Sequence, residues 1–274
     1  MERIMVGTDG SESAGAALRW AGALAGATGA QLLVAHSYLP PQAELDPGFD
    51  ARCRADAEQA LAGWISQAGV ASAIPVLVEG DARETLGDLA SEQRADLLVL
   101  GSRGGGGFSR LGLGSVAHHV AHHVGCSIAV VPVGSELVAG APILVGVDGS
   151  PSSAVALRWA IGAAASTKSP VTAALAYDAM ADSYPHPDLD NWKYRNQAES
   201  EALVEACRAP GVALELRVVP GNAVAALDDL ATAHEAAAIV VGTRGRGSLH
   251  RTFLGRVPMQ LLNHAVRPVV VTRA

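Results

Sequence analysis

Short, uninterrupted apolar runs alternate along this chain with longer stretches in which small apolar residues recur at helical spacing. Ile4-Met5-Val6 and Ile143-Leu144-Val145 are runs of the first kind, and each ends at a glycine, Gly7 and Gly146. They read as buried strands leading into turns. Behind the first lies SESAGAALRWAGALA, which predicts a helix opened by a Ser or Asp cap. Further strands are predicted over Gln31–His36 and Val171–Tyr177, then over Ile74–Glu79 and Leu214–Val219, and then over Leu97–Leu100 and Ala238–Val241. Helices are predicted over Arg52–Gln67 and Asn191–Cys207, preceded by polar, Pro-bearing stretches at Pro40–Asp50 and Asp178–Asp190, and over Arg83–Glu92 and Ala223–His234. A fourth helix and a fifth strand, Ser127–Val133 or Pro268–Arg273, close each half. Continuous apolar strands separated by helices mean a parallel sheet covered on both faces, so the predicted class is α/β.

The halves repeat. IMVGTDGSESAGAALRWAGALA, from Ile4 to Ala25, matches ILVGVDGSPSSAVALRWAIGAA, from Ile143 to Ala164, without a gap. Farther on, ADLLVLGSRGGG from Ala95 matches AAIVVGTRGRG from Ala237, with Gly101 against Gly242 and two residues inserted between the registers. A repeat this long is a whole domain and not one unit of a solenoid. The 274 residues therefore divide into domains over 1–136 and 141–274, joined by a linker within Ser135–Pro142. Each is expected to be a doubly wound parallel sheet of five strands, with ligands bound at the carboxyl ends of the strands.

Composition narrows the function. The net charge is −7, which disfavours a sequence-independent grip on nucleic acid or an anionic membrane. Three widely spaced cysteines, Cys53, Cys126 and Cys207, fit neither a disulfide framework nor a Cys-x-x-Cys metal site and are expected to be small buried apolar residues of a chain in a reducing cytoplasm. No apolar run reaches the roughly 18 residues of a spanning helix. The start MERIMVGTDG lacks the basic-then-apolar order of a targeting peptide.

At the predicted end of the fourth strand stands GSRGGGGFSRLGLGSV, with Gly101, Gly104, Gly114 and Ser115 spaced G-x2-G-x9-G-S. Such a loop offers backbone N–H donors where a side chain would block a phosphate, and it runs into a helix N-terminus. Arg103 adds a charge, and the Ser115 hydroxyl suits a phosphate oxygen or a metal-bound water. The second half repeats the spacing with Gly242, Gly245 and Gly255. The loop is neither a Walker loop nor a G-x-G-x-x-G fingerprint.

VGTDGS and VGVDGS at the first strands, the glycine loop after the fourth, and a closing apolar strand such as SIAVVPV together resemble the universal stress protein family over nearly the whole chain. That resemblance implies a Rossmann-like, adenine nucleotide alpha hydrolase-like fold in each half, packed as a pseudo-dimer through the last strands, and a homodimer of chains. It also implies ATP, with Mg2+ as a companion, as the ligand. Residues implied to hold the nucleotide in the first half are Gly7, Thr8, Asp9, Ser37, Leu100, Gly101, Arg103, Gly104, Gly114, Ser115 and Val116. In the second they are Gly146, Asp148, Val241, Gly242, Arg244, Gly245, Gly255, Arg256 and Val257. Asp9 and Asp148 match the residue that contacts the adenosine end, and the glycine loops match the part that wraps ribose and phosphates. Asp9 also suits a helix cap. The second half departs from the pattern, because Arg256, followed by Val257 and Pro258, stands where Ser or Thr is expected.

The functional expectation is a nucleotide-dependent regulator of stress or growth arrest, acting through its conformation or a protein partner. The alternative is a slow ATPase or nucleotidyl transferase, which needs a positioned base beside the γ-phosphate. No catalytic residue is assigned, because no Ser-His-Asp series or ordered carboxylate pair is present. His118, His119, His122 and His123 lie at i, i+4 spacings able to share a metal. No Asp, Glu or Cys completes a ligand set near them in sequence, so they read as a polar or interface-facing stripe, and no metal site is expected. Trp20 and Trp159 read as packing residues, and Asp81, Glu84, Asp88 and Glu92 as a solvated helix face.

Overall fold

The computed structural model describes residues 1–39, 49–104, 112–177, 187–245 and 254–273, with side chains of 187–194 excepted. Two compact units result, Met1–Glu136 and Leu137–Ala274. In the first, the elements are β1 (Arg3–Gly7), α1 (Glu12–Thr28), β2 (Gln31–Tyr38), α2 (Phe49–Gln67) and β3 (Ile74–Glu79), then α3 (Ala82–Glu92), β4 (Leu97–Gly101), α4 (Ser115–His123) and β5 (Ser127–Val131). The second repeats them as β6 (Ile143–Gly146), α5 (Pro151–Thr167), β7 (Val171–Tyr177), α6 (Pro187–Ala206) and β8 (Leu214–Pro220), then α7 (Ala223–Ala233), β9 (Ala238–Gly242), α8 (Arg256–His264) and β10 (Val269–Thr272).

The strands of the first unit pair in parallel in the order β3-β2-β1-β4-β5. Those of the second follow the same order, β8-β7-β6-β9-β10. Successive strand residues point to opposite faces. Ile4, Met5 and Val6 are all fully buried, so helices must cover both faces of β1. α1 lies against β1 and β4, and its Ala14, Ala16, Ala17 and Ala21 are buried, small enough to bring the helix close to the sheet.

Several details differ from the sequence expectation. α2 and α6 begin at Phe49 and Pro187, ahead of Arg52 and Asn191, while residues 40–48 and 178–186 of the Pro-bearing stretches lie outside the described residues. β5 stops at Val131 because Pro132 has no N–H to continue the ladder, and the Ser135 N–H turns back to the Pro132 carbonyl at 3.3 Å. The three cysteines form no disulfide among the described residues and are half-buried, not enclosed. Trp20 is 1% exposed, whereas its counterpart Trp159 is half-buried.

Candidate functional site

The order of the strands creates the site. β1 and β4 are neighbours, and the chain runs from β1 toward β2 but from β4 toward β5 on the other side, so a crevice opens at their carboxyl ends. Gly7, Thr8 and Asp9 continue β1 into that crevice, and Leu100 to Gly104 continue β4 beside them. The start of α1 fastens the two. Ser13 Oγ donates to the Arg103 carbonyl, the Arg103 N–H donates to Ser13 Oγ at 3.3 Å, and the Ser11 hydroxyl lies 3.4 Å from the same carbonyl. The Gly114 N–H donates to the Ser102 carbonyl at 2.8 Å, which brings the start of α4 back to the end of β4.

Together these residues border an open cleft of about 110 Å³, lined by Gly7, Thr8, Asp9, Ser37, Leu100, Gly101, Arg103, Gly104, Gly114, Ser115 and Val116. All eleven first-half residues named from sequence are thus brought to one place. Ala14, Ala82, Leu86 and Ala117 also line it and were missed. They carry no polar signature, though Ala82 and Leu86 recur as Ala223 and Leu227 in the second half.

Absence of side chains shapes the walls. A Cβ at Gly104 would sit 2.7 Å from Asp9 Oδ2, and one at Gly7 would push 2.6 Å from Leu100 Cδ2 and 2.9 Å from Leu86 Cδ1. Asp9 accepts the Ser11 N–H at 3.0 Å, and the buried Thr8 accepts the Gly10 N–H on its hydroxyl at 3.3 Å. At the far rim Ser37 Oγ donates to the Gly80 carbonyl, with Thr85 Oγ1 3.2 Å from it. His36 Nδ1 lies 2.9 Å from the Thr8 carbonyl, and its ring meets Trp64 edge-on at 5.0 Å.

The capping pattern separates α4 from its neighbours. Ser11 caps α1, Asp81 caps α3, Ser150 caps α5 and Asn222 caps α7, each by a side-chain oxygen accepting a first-turn N–H. Gly114 and Gly255, which precede α4 and α8, make no side-chain cap. Among the described residues the N–H groups of Ser115, Val116 and Ala117 therefore have neither an intrahelical acceptor nor a side-chain cap, and they border the cleft at the positive end of the helix.

The second unit repeats the frame. The Gly255 N–H donates to the Thr243 carbonyl at 2.8 Å, the Arg244 N–H lies 3.4 Å from Ser152 Oγ, and a Cβ at Gly245 would sit 2.7 Å from Asp148 Oδ2. Asp148 accepts the Ser150 N–H at 3.0 Å. Gly146 ends β6, Val241 and Gly242 end β9, and Arg256 and Val257 open α8, with Arg256 exposed.

Elsewhere, the Arg83 side chain and N–H bind the Asp81 carboxylate and hold its pKa down to about 2. On α4 the rings of His119 and His123 stack at 4.3 Å and those of His118 and His122 lie 5.0 Å apart, while Ala117, Val120 and Ala121 face inward. Among the described residues no group of three or more His, Cys, Asp or Glu side chains is placed to hold a metal. Among them, too, no helix is long and apolar enough to cross a membrane.

The universal stress protein family matches residues 1–132 and 141–273, one match per unit. The chain belongs to the universal stress protein family. Universal stress protein Rv2623 of Mycobacterium tuberculosis is 29% identical over a 291-residue alignment that covers 98% of this chain and 96% of that protein. Universal stress protein Rv2005c of the same organism is 32% identical over 197 residues, 69% of this chain but 65% of the relative's own length. A universal stress protein from Archaeoglobus fulgidus matches in crystal structure with a TM-score of 0.76 over 98% of both chains, at 20% identity, a likeness of fold. This is a tandem universal stress protein, with one such domain in each unit.

Proposed function

We propose that the chain is an ATP-binding regulator of the stress response, whose first-unit cleft holds the nucleotide and whose loaded state sets a conformation or a surface for a protein partner. The observation that carries this reading is the uncapped start of α4 opening onto a glycine-walled cleft that also holds Asp9. The residues fit the ligand. Asp9 serves the adenosine end, and the N–H groups of Ser115, Val116 and Ala117, with Arg103, serve the phosphates. The Ser115 hydroxyl suits a phosphate oxygen or a water on Mg2+. By the same reading the protein works in the cytoplasm, as a homodimer.

Calorimetric titration with ATP, with and without Mg2+, and with AMP tests it. Saturable binding is expected for the native protein and its loss for Gly114→Glu. A Cβ at Gly114 has no neighbour nearer than 3.4 Å, an ordinary contact, so the new side chain is expected to start without a clash and to carry its charge toward the phosphate position, with the fold checked by circular dichroism. A folded native protein that binds none of these nucleotides would overturn the proposal.

A further inference from the structure

The two clefts share a frame but not their chemistry. Equivalent hydrogen bonds fix the correspondence between them. The Thr8 N–H donates to the Ala35 carbonyl and the Val147 N–H to that of Ala174, both at 2.9 Å, and the Gly80 and Gly221 N–H groups donate to the carbonyls of Tyr38 and Tyr177. In that correspondence each rim hydroxyl of the first cleft is replaced. Thr8 becomes Val147, Ser37 becomes Ala176, and Thr85 becomes Ala226. His36 and Trp64 become Leu175 and Leu203.

The helix start changes as well. Ser115 becomes Arg256 and Ala117 becomes Pro258 at the first and third positions of α8. Proline has no N–H, so one of the three donors facing the phosphate position is gone, and a long cation stands where a hydroxyl stood. Glycines shared by the two units do not all require a ligand. A Cβ at Gly242 would meet the backbone of Ser152, one at Gly245 the Asp148 carboxylate, and one at Gly255 the Thr243 carbonyl at 3.3 Å. Close packing alone accounts for Gly242, where the Ser152 backbone cannot yield.

Resting on the proposed nucleotide reading, we infer that the chain binds one adenine nucleotide, in the first unit, and that the second lacks the donors to hold it, with Val147 and Ala176 in place of hydroxyls, Pro258 in place of an N–H and the bulk of Arg256 in place of the Ser115 hydroxyl. Each missing donor to a charged phosphate weakens binding by roughly 10- to 150-fold. The second unit keeps the shape of the domain without its ligand.

The stoichiometry of ATP, by calorimetry and native mass spectrometry, tests this in four proteins whose folding is checked by circular dichroism. The native chain is expected to bind one ATP, and Gly114→Glu none. The repaired chain carrying Val147→Thr, Ala176→Ser, Arg256→Ser and Pro258→Ala is expected to bind two, and the repaired chain with Gly114→Glu one. A native chain with two sites, or a single site that survives Gly114→Glu, overturns the inference and leaves nucleotide binding standing. A repaired chain that remains at one overturns the assignment to these four residues. A native chain with no site overturns both proposals.

Discussion

Glycines of one motif carry different burdens. A Cβ at Gly101 would lie 2.5 Å from Ser13 Oγ and 2.7 Å from the Ala14 backbone nitrogen, part of a helix start that cannot yield. Gly101→Ala is expected to cost about 1–3 kcal/mol of stability, seen as a lower urea midpoint at unchanged slope. Gly114 has room, so its substitution strikes ligand binding in place of folding. Both are the same letter in G-x2-G-x9-G, and only the atoms around each Cβ separate the roles. The repeat exposes a second contrast. α1 ends on Gly29 at φ 72°, and α5 ends at the equivalent Lys168 at φ 55°, the left-handed region that glycine enters freely. Lys168→Gly is expected to raise the unfolding free energy by a few tenths to about 1 kcal/mol in the same urea experiment.

At the scale of elements, helix termini divide the molecule into parts closed on themselves and parts open to a ligand. Ser11, Asp81, Ser150 and Asn222 close their helices, and Gly114 and Gly255 leave α4 and α8 open. The motif's glycine spacing pointed to those starts in advance, because a phosphate cradle needs uncovered backbone. What it did not reveal is the apolar side of the cleft. Ala82 and Leu86 resemble any inward residues of an amphipathic helix, and only the docking of α3 against β2 and α4, which brings Leu86 to Gly7, turns them into cleft lining. Arg256 places a cation on the positive end of α8. Arg256→Glu is therefore expected to stabilise the protein by about 0.3–1 kcal/mol in dilute buffer, a gain that shrinks in molar salt. Equal thermal shifts at both salt concentrations would rule out the electrostatic cause.

For the whole molecule, one nucleotide in two similar units predicts an uneven response. With ATP at about a hundred times its dissociation constant, binding adds about 2.7 kcal/mol to the state that holds it. Hydrogen exchange is expected to slow in peptides from Met1–Glu136, chiefly around Gly7–Asp9, Gly101–Gly104 and Gly114–Ala117, and to change little in Leu137–Ala274. Equal slowing around Gly146–Asp148 would contradict a single site. The repeat, the division into units and most strands were determined by the sequence itself, because a strand buried on both faces must be apolar throughout and a duplicated pattern needs no structure to be seen. Which strands lie side by side was decided only in three dimensions. Val6 and Val99 would read the same beside any apolar neighbour, yet their pairing in parallel brings Asp9 to Gly104 and makes a cleft of residues far apart in the chain. Strand order is a choice among non-local pairings that local periodicity does not encode, and the site depends on that order.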